Sequence, residues 1–168
     1  MIVRKPIRQK MKIFISHQQV DSELALSLSK RFLTTHGIST YLDVIDLAVS
    51  STGDALADHV KDELGKCTQL LAVVSEATRA SWWVPWEIGI ATEKDFPLAT
   101  YAGGYTTVPD YLRKWPYLRS TADLDLYAIA SKTAAKDFET KRGFLVEATV
   151  RSRSTKEFYR VLRESLGQ

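Results

Sequence analysis

Cysteine is nearly absent from this chain. Cys67 stands alone among 168 residues, which excludes an internal disulfide and any cysteine-rich metal site. Histidine is almost as scarce, and His17, His36 and His59 lie far apart with no metal-ligand spacing. No stretch approaches the ~20 consecutive apolar residues of a membrane span. Behind the first basic residues the run Ile13-Phe14-Ile15 is too brief for a signal-peptide core. These absences predict a reduced, cytoplasmic protein with no metal and no membrane contact. Glycine and proline are sparse, at 8 and 5 residues, so the chain reads as globular rather than disordered.

Missing motifs narrow the chemistry further. Gln18-Gln19-Val20-Asp21, after the first apolar segment, contains no glycine, so no phosphate-cradling loop follows it. There is no Gly-x-Ser-x-Gly nucleophile elbow. Ser16 and His17 are adjacent on an extended segment, which points their side chains to opposite faces and excludes a nucleophile–base pair between them. Dehydrogenase and P-loop chemistry are therefore not expected. The net charge of +3 is small. Arg4, Lys5, Arg8, Lys10 and Lys12 form a basic leader, and the tail is also basic. Such clusters are most simply solvated surface, and nucleic acid is not an expected partner.

What is present centres on Ser81-Trp82-Trp83-Val84-Pro85-Trp86-Glu87-Ile88-Gly89-Ile90-Ala91, where three of four tryptophans surround one carboxylate. Pro85 suits a first helical turn, where a missing N–H costs nothing. Val84, Ile88 and Ala91 recur at helical spacing. An unpaired carboxylate among indoles is costly to bury, so Glu87 reads as a candidate functional residue.

The rest of the chain alternates strand and helix. Met11 to Ser16 predicts a buried strand. A helix follows, capped by Asp21, with Leu24, Leu28 and Phe32 as its stripe, Ala25 and Leu33 widening it, and Gly37 past its end. Ile38 to Ile45 is a more polar strand suited to an edge. Leu56, Val60 and Leu64 line a second helix ending at Gly65, and Gln69 to Ser75 is the most apolar strand, suited to the centre. The tryptophan stretch opens a third helix to about Asp95, and Pro97 to Tyr101 is a fourth strand. Asp110 to Lys114 predicts a helical turn, Tyr117-Leu118 a fifth strand, and Asp123 to about Asp137 a helix. Phe144 to Val150 reads either as a strand or as a helical extension, before a last helix capped by Ser154 with Phe158, Leu162 and Leu166 on one face.

This alternation calls for an α/β fold, a doubly wound parallel sheet covered on both faces. The flavodoxin-like order 2-1-3-4-5 puts the polar strand at the edge and the most apolar one inside. Ligands of such sheets bind at the carboxyl ends of the strands, where the order reverses. That is between the first and third strands, beside Ser16, His17 and the loop leading to Glu87. A helix start favours an ionised carboxylate while indoles disfavour it by desolvation. An ionised Glu87 suits stabilisation of developing positive charge, as in glycoside cleavage, and indole faces suit stacking on a planar ring.

These segments resemble the Toll/interleukin-1 receptor (TIR) domain family, particularly its stand-alone bacterial members. The matching residues are Lys12-Ile13-Phe14-Ile15-Ser16-His17, Tyr41-Leu42-Asp43-Val44-Ile45-Asp46 through Gly53, Leu71-Ala72-Val73-Val74-Ser75, and Ser81-x-Trp83-Val84-x-x-Glu87. The resemblance implies a basic leader at 1–11 and a single TIR domain at 12–168, with its core at 12–122 and a C-terminal elaboration at 123–168. It implies that Glu87 is the catalytic residue for cleaving the nicotinamide–ribose bond of NAD+. Ser16, His17, Asp46 and Trp82 or Trp83 would line the substrate site. NAD+ would be a substrate, with no cofactor besides. TIR–TIR self-association and a separate effector that senses an ADP-ribose signal in antiphage defence are the implied partners. A non-catalytic TIR scaffold is the alternative. Trp86 stands where many members have a small or charged residue, and no role is carried onto it.

Overall fold

The computed structural model describes residues 10–42, 53–104, 107–141 and 146–168. Five parallel strands form one sheet: β1 (Lys12–Ser16), β2 (Ser39–Leu42), β3 (Gln69–Val73), β4 (Leu98–Tyr101) and β5 (Tyr117–Leu118). Their order is β2-β1-β3-β4-β5, the flavodoxin-like order expected from the sequence. Composition explains it. Every residue of β3 is buried, whereas all four of β2 are half-exposed, so apolar content sorts the strands between centre and edge.

The helices are α1 (Ser22–His36), α2 (Gly53–Gly65), α3 (Trp83–Glu93), α4 (Thr121–Lys141) and α5 (Glu147–Leu166). Alternation along the strands divides the core in two. Ile13, Ile15, Leu71 and Val73 face α1, α4 and α5, where Phe32, Tyr127 and Phe158 pack. Phe14, Leu70, Ala72 and Leu98 face α2 and α3, where Val60, Leu64, Val84 and Ile88 pack. Each buried Val, Leu, Ile or Phe side chain among these contributes roughly 1.5–3 kcal/mol by burial.

Several local expectations change. The inward face of α1 is Ala25, Leu28 and Phe32, whereas Leu24 and Leu33 are exposed. Asp21 makes no capping bond to α1; its carboxylate accepts instead from the Ser75 hydroxyl at 2.7 Å. Residues Glu147 to Val150 form the first turn of α5 rather than a strand. Ser154 lies inside that helix, not at its cap, and its hydroxyl donates to Asp137 on α4 at 3.1 Å. The buried stripe of α5 starts at Val150 and continues through Ser154, Phe158 and Leu162. Four-residue spacing is met only by a helix that begins before the serine.

Backbone groups of the sheet margin are satisfied by α5. The Tyr159 hydroxyl accepts from the Leu98 amide at 3.1 Å and donates to the Phe96 carbonyl at 3.3 Å. The Gln168 amide mimics a strand, accepting from the Tyr117 N–H at 3.1 Å and donating to its carbonyl at 2.6 Å. Covering an edge strand in this way blocks its use as a template for another chain. Between α1 and α4, Asp125 receives Arg31 through two bonds of 2.9 and 2.5 Å and His36 at 2.7 Å. None of the described helices is long and apolar enough to cross a membrane.

Candidate active site

The switch point lies where β1 ends between β2 and β3, with Ser16 in register with Ala72. Period-two alternation sends the Ser16 side chain to the face of Phe14, the face covered by α2 and α3. The next residue, His17, turns toward the first residue of α1: its Nε2 lies 3.4 Å from the Ser22 hydroxyl, and its Nδ1 lies 3.2 Å from the Ile15 carbonyl. Adjacent residues therefore serve opposite layers of the protein.

Glu87 comes to the same place from α3. With Val84, Ile88 and Ala91 it belongs to the buried stripe of that helix, spaced i, i+3, i+4 and i+7. A carboxylate at such a position needs polar partners, and Ser16 is one of them, donating its Oγ hydrogen to Glu87 Oε2. Both residues are 0% exposed. Ser81 prepares the helix start: its backbone is extended and its Oγ accepts from the Val84 amide at 3.1 Å, which is N-cap chemistry. Pro85 follows inside the first turn.

The three indoles diverge. Trp83 and Trp86 form an edge-to-face pair with centroids 5.4 Å apart at 85°, a favoured aromatic geometry. Trp82 is 89% exposed and has no ring contact among the described residues, so its faces are available. Trp86 thus has a packing partner. Asp46 lies outside the described residues, as does nearly all of the loop from Asp46 to Gly53.

Two polar residues at this rim, Ser75 and Thr78, take a role that the sequence-based expectations did not give them. Ser75, just past β3, caps a short 3-10 turn over Glu76–Ala80, accepting from the Ala77 amide at 3.2 Å, while the Ser75 amide donates to the Thr78 hydroxyl at 2.9 Å. The same Ser75 hydroxyl donates to Asp21, tying the segment after β1 to the end of β3. The Ser75-x-x-Thr78 spacing was a legible capping signal; the partnership with Asp21, 54 residues away, was not.

Two cavities lined by the described residues lie elsewhere, and neither is lined by Ser16 or Glu87. One of about 640 Å³ lies at the opposite, amino end of the strands, where Met11, Gln69 and Pro97 meet α4 and α5. Another, of about 520 Å³, flanks the tryptophan stretch between Ser81, Pro85 and Tyr111. Among the described residues no group of three or more His, Cys, Asp or Glu is arranged to hold a metal. Cys67 is buried beside α2, and burial pushes its thiol up to about 11. It is a small core residue and not a nucleophile.

Comparison with known proteins adds three findings. The family model described as TIR domain matches residues 13–136. Over 80 residues the chain is 32% identical to a protein named probable 3' cyclic ADP-D-ribose synthase ThsB' from Bacillus cereus (strain MSX-D12), an alignment covering 46% of this chain and 41% of that protein. The match thus spans about two-fifths of the relative's length. A solved structure of the activated Roq1 resistosome directly recognizing the pathogen effector XopQ (TIR domains) aligns with a TM-score of 0.47 at 14% identity, covering 92% of this chain and 84% of that one.

Proposed function

From the premise that the chain belongs to the TIR domain family, we propose that it is an NAD+-consuming enzyme with Glu87 as its catalytic carboxylate. One observation carries this reading: a carboxylate at the switch point of the sheet, buried and hydrogen-bonded to the end of β1. The name of the Bacillus cereus relative, a probable cyclic ADP-ribose synthase, supports the substrate class.

The chemistry suits a lone carboxylate. Breaking the nicotinamide–ribose bond of NAD+ sends the bonding pair to a ring nitrogen that is already cationic. Nicotinamide leaves neutral and needs no proton, so the general acid of ordinary glycoside cleavage is dispensable. Positive charge then develops on the ribose, and an ionised Glu87 stabilises it. Attack by water at the ribose carbon gives ADP-ribose; attack by a hydroxyl of the same substrate gives a cyclic isomer. Either nucleophile gives up its proton, which is released to solvent. The exposed face of Trp82 suits stacking on a planar ring of the substrate, and His17 and Asp46 complete the proposed set of substrate contacts. In this reading the protein is cytoplasmic and self-associates through TIR–TIR contacts. Its product signals to a separate effector in antiphage defence.

The alternative is a non-catalytic TIR scaffold, and one observation favours it: Glu87 has no exposed surface in this state. Turnover therefore requires an opened form. Incubating the protein with NAD+ across a range of protein concentrations, then separating products by chromatography and mass spectrometry, decides between the two. Nicotinamide release that Glu87→Gln abolishes supports the enzyme. Absence of both nicotinamide release and base exchange at every concentration leaves the scaffold.

A further inference from the structure

Ser16 combines three properties. It is the last residue of β1, a strand lying between β2 and β3, and it is itself paired to Ala72 of β3. Its side chain is wholly buried. Its single hydroxyl proton is committed to Glu87 Oε2. Resting on the reading of Glu87 as the catalytic carboxylate, we propose that Ser16 is a positioning residue, acting on the substrate only through Glu87 and not lining the substrate site itself.

The geometry gives the two partners unequal freedom. The Ser16 Oγ sits one bond from a Cβ whose backbone belongs to the middle of the sheet. Glu87 reaches it through a longer side chain, with three rotatable bonds, from a helix in the covering layer. A donor anchored on the sheet therefore sets where the carboxylate lies relative to the switch point, and it selects among rotamers that would otherwise compete. A serine has one proton to give. Once it is given to Glu87, Ser16 has no proton left to donate to substrate and can only accept, whereas the carboxylate's two oxygens can accept from several donors at once. The bond to a charged acceptor is also stronger than a neutral one.

Sequence spacing explains why the partnership takes this form. Alternation puts Ser16 on the α3 side of the sheet and His17 on the α1 side. The serine is therefore the strand-end residue that can meet Glu87. Its small size suits the space beneath a helix whose neighbouring positions, Val84, Ile88 and Ala91, are all buried.

The test compares Ser16→Ala, Ser16→Thr, Glu87→Gln and the Ser16→Ala/Glu87→Gln pair for nicotinamide release from NAD+, with thermal unfolding as the check on folding. Positioning predicts that Ser16→Ala lowers kcat about 10- to 100-fold, the range of one hydrogen bond to a charged group, while KM stays within about threefold. It predicts that Ser16→Thr, which keeps the hydroxyl, recovers part of the loss, and that Ser16→Ala removes nothing further once Glu87 is glutamine. A rise in KM at constant kcat, or an additive loss in the double variant, overturns the proposal, because Ser16 would then act independently of Glu87. A second readout needs no turnover. In protein labelled with carbon-13 at glutamate carboxyls, the resonance that disappears in Glu87→Gln belongs to Glu87. Ser16→Ala must shift it at constant pH, and an unmoved resonance in a folded variant overturns the proposal. If the parent protein releases no nicotinamide while the resonance shifts, the catalytic reading of Glu87 fails and the Ser16–Glu87 bond stands.

Discussion

Replacing Glu87 by glutamine changes one atom and one charge. The amide oxygen can still accept from Ser16 Oγ, as Glu87 Oε2 does, so the geometry of the site is retained. What disappears is the attraction between a carboxylate and the positive charge that develops on the ribose. At a separation of about 4 Å and an effective dielectric of about 20, that attraction is ~4 kcal/mol. A tenfold rate change corresponds to ~1.4 kcal/mol, so Glu87→Gln is expected to lower kcat about a thousandfold. Stability should move the other way or not at all, because a buried charge carries a desolvation penalty that a neutral amide avoids. Melting temperature by calorimetry and nicotinamide release by chromatography, on the same preparation, separate the two effects. An inactive Glu87→Gln protein with an unchanged or raised Tm is the expected result. Turnover within about threefold of the parent would refute the charge-stabilisation reasoning.

Other consequences can be checked independently of activity. The Arg31 hydrogen bond, followed by that from His36, holds the Asp125 carboxyl down at about 2. A carboxyl depressed in the folded state contributes stability that is full above its unfolded value near pH 4 and lost as pH falls toward 2. That depression corresponds to ~2.5 kcal/mol at most. With Arg31 and Asp125 side chains 37% and 28% exposed, screening reduces it to about 1 kcal/mol. Asp125→Asn should therefore lower Tm by a few degrees at pH 7, with the difference vanishing near pH 2; equal Tm values at pH 7 would show that the clamp between α1 and α4 contributes nothing. Tyr159→Phe removes both bonds that α5 makes to the start of β4 and should cost about 1–3 kcal/mol in urea unfolding. No change in the midpoint would show that these two bonds contribute nothing to the docking of α5. Cys67 should react with a thiol reagent only as fast as the protein unfolds, since its side chain is buried and its thiol pushed up to about 11. Rapid labelling under native conditions would contradict that burial.

Much of this protein follows from residue periodicity alone. The polar residues of β2 and the unbroken apolar run of β3 assign edge and centre, because a strand buried on both faces must be apolar at every position. The stripes Val60–Leu64, Val84–Ile88–Ala91 and Phe158–Leu162 orient their helices for the same reason. The tryptophan stretch locates a carboxylate at the start of a helix beside the switch point. Period two even separates Ser16 from His17 before any partner is known. Tertiary structure decided which partners these residues take. Asp21 and Ser154 look equally suited to capping a helix, yet one accepts from Ser75 and the other reaches Asp137. Short polar side chains have local and distant partners of similar energy, so only the closed fold selects between them. Likewise a stripe shows that a helix face is buried but not against what. That the face carrying Glu87 covers the side of the sheet carrying Ser16, and that Trp83 turns to Trp86 and leaves Trp82 in solvent, arise only when the layers close on the sheet.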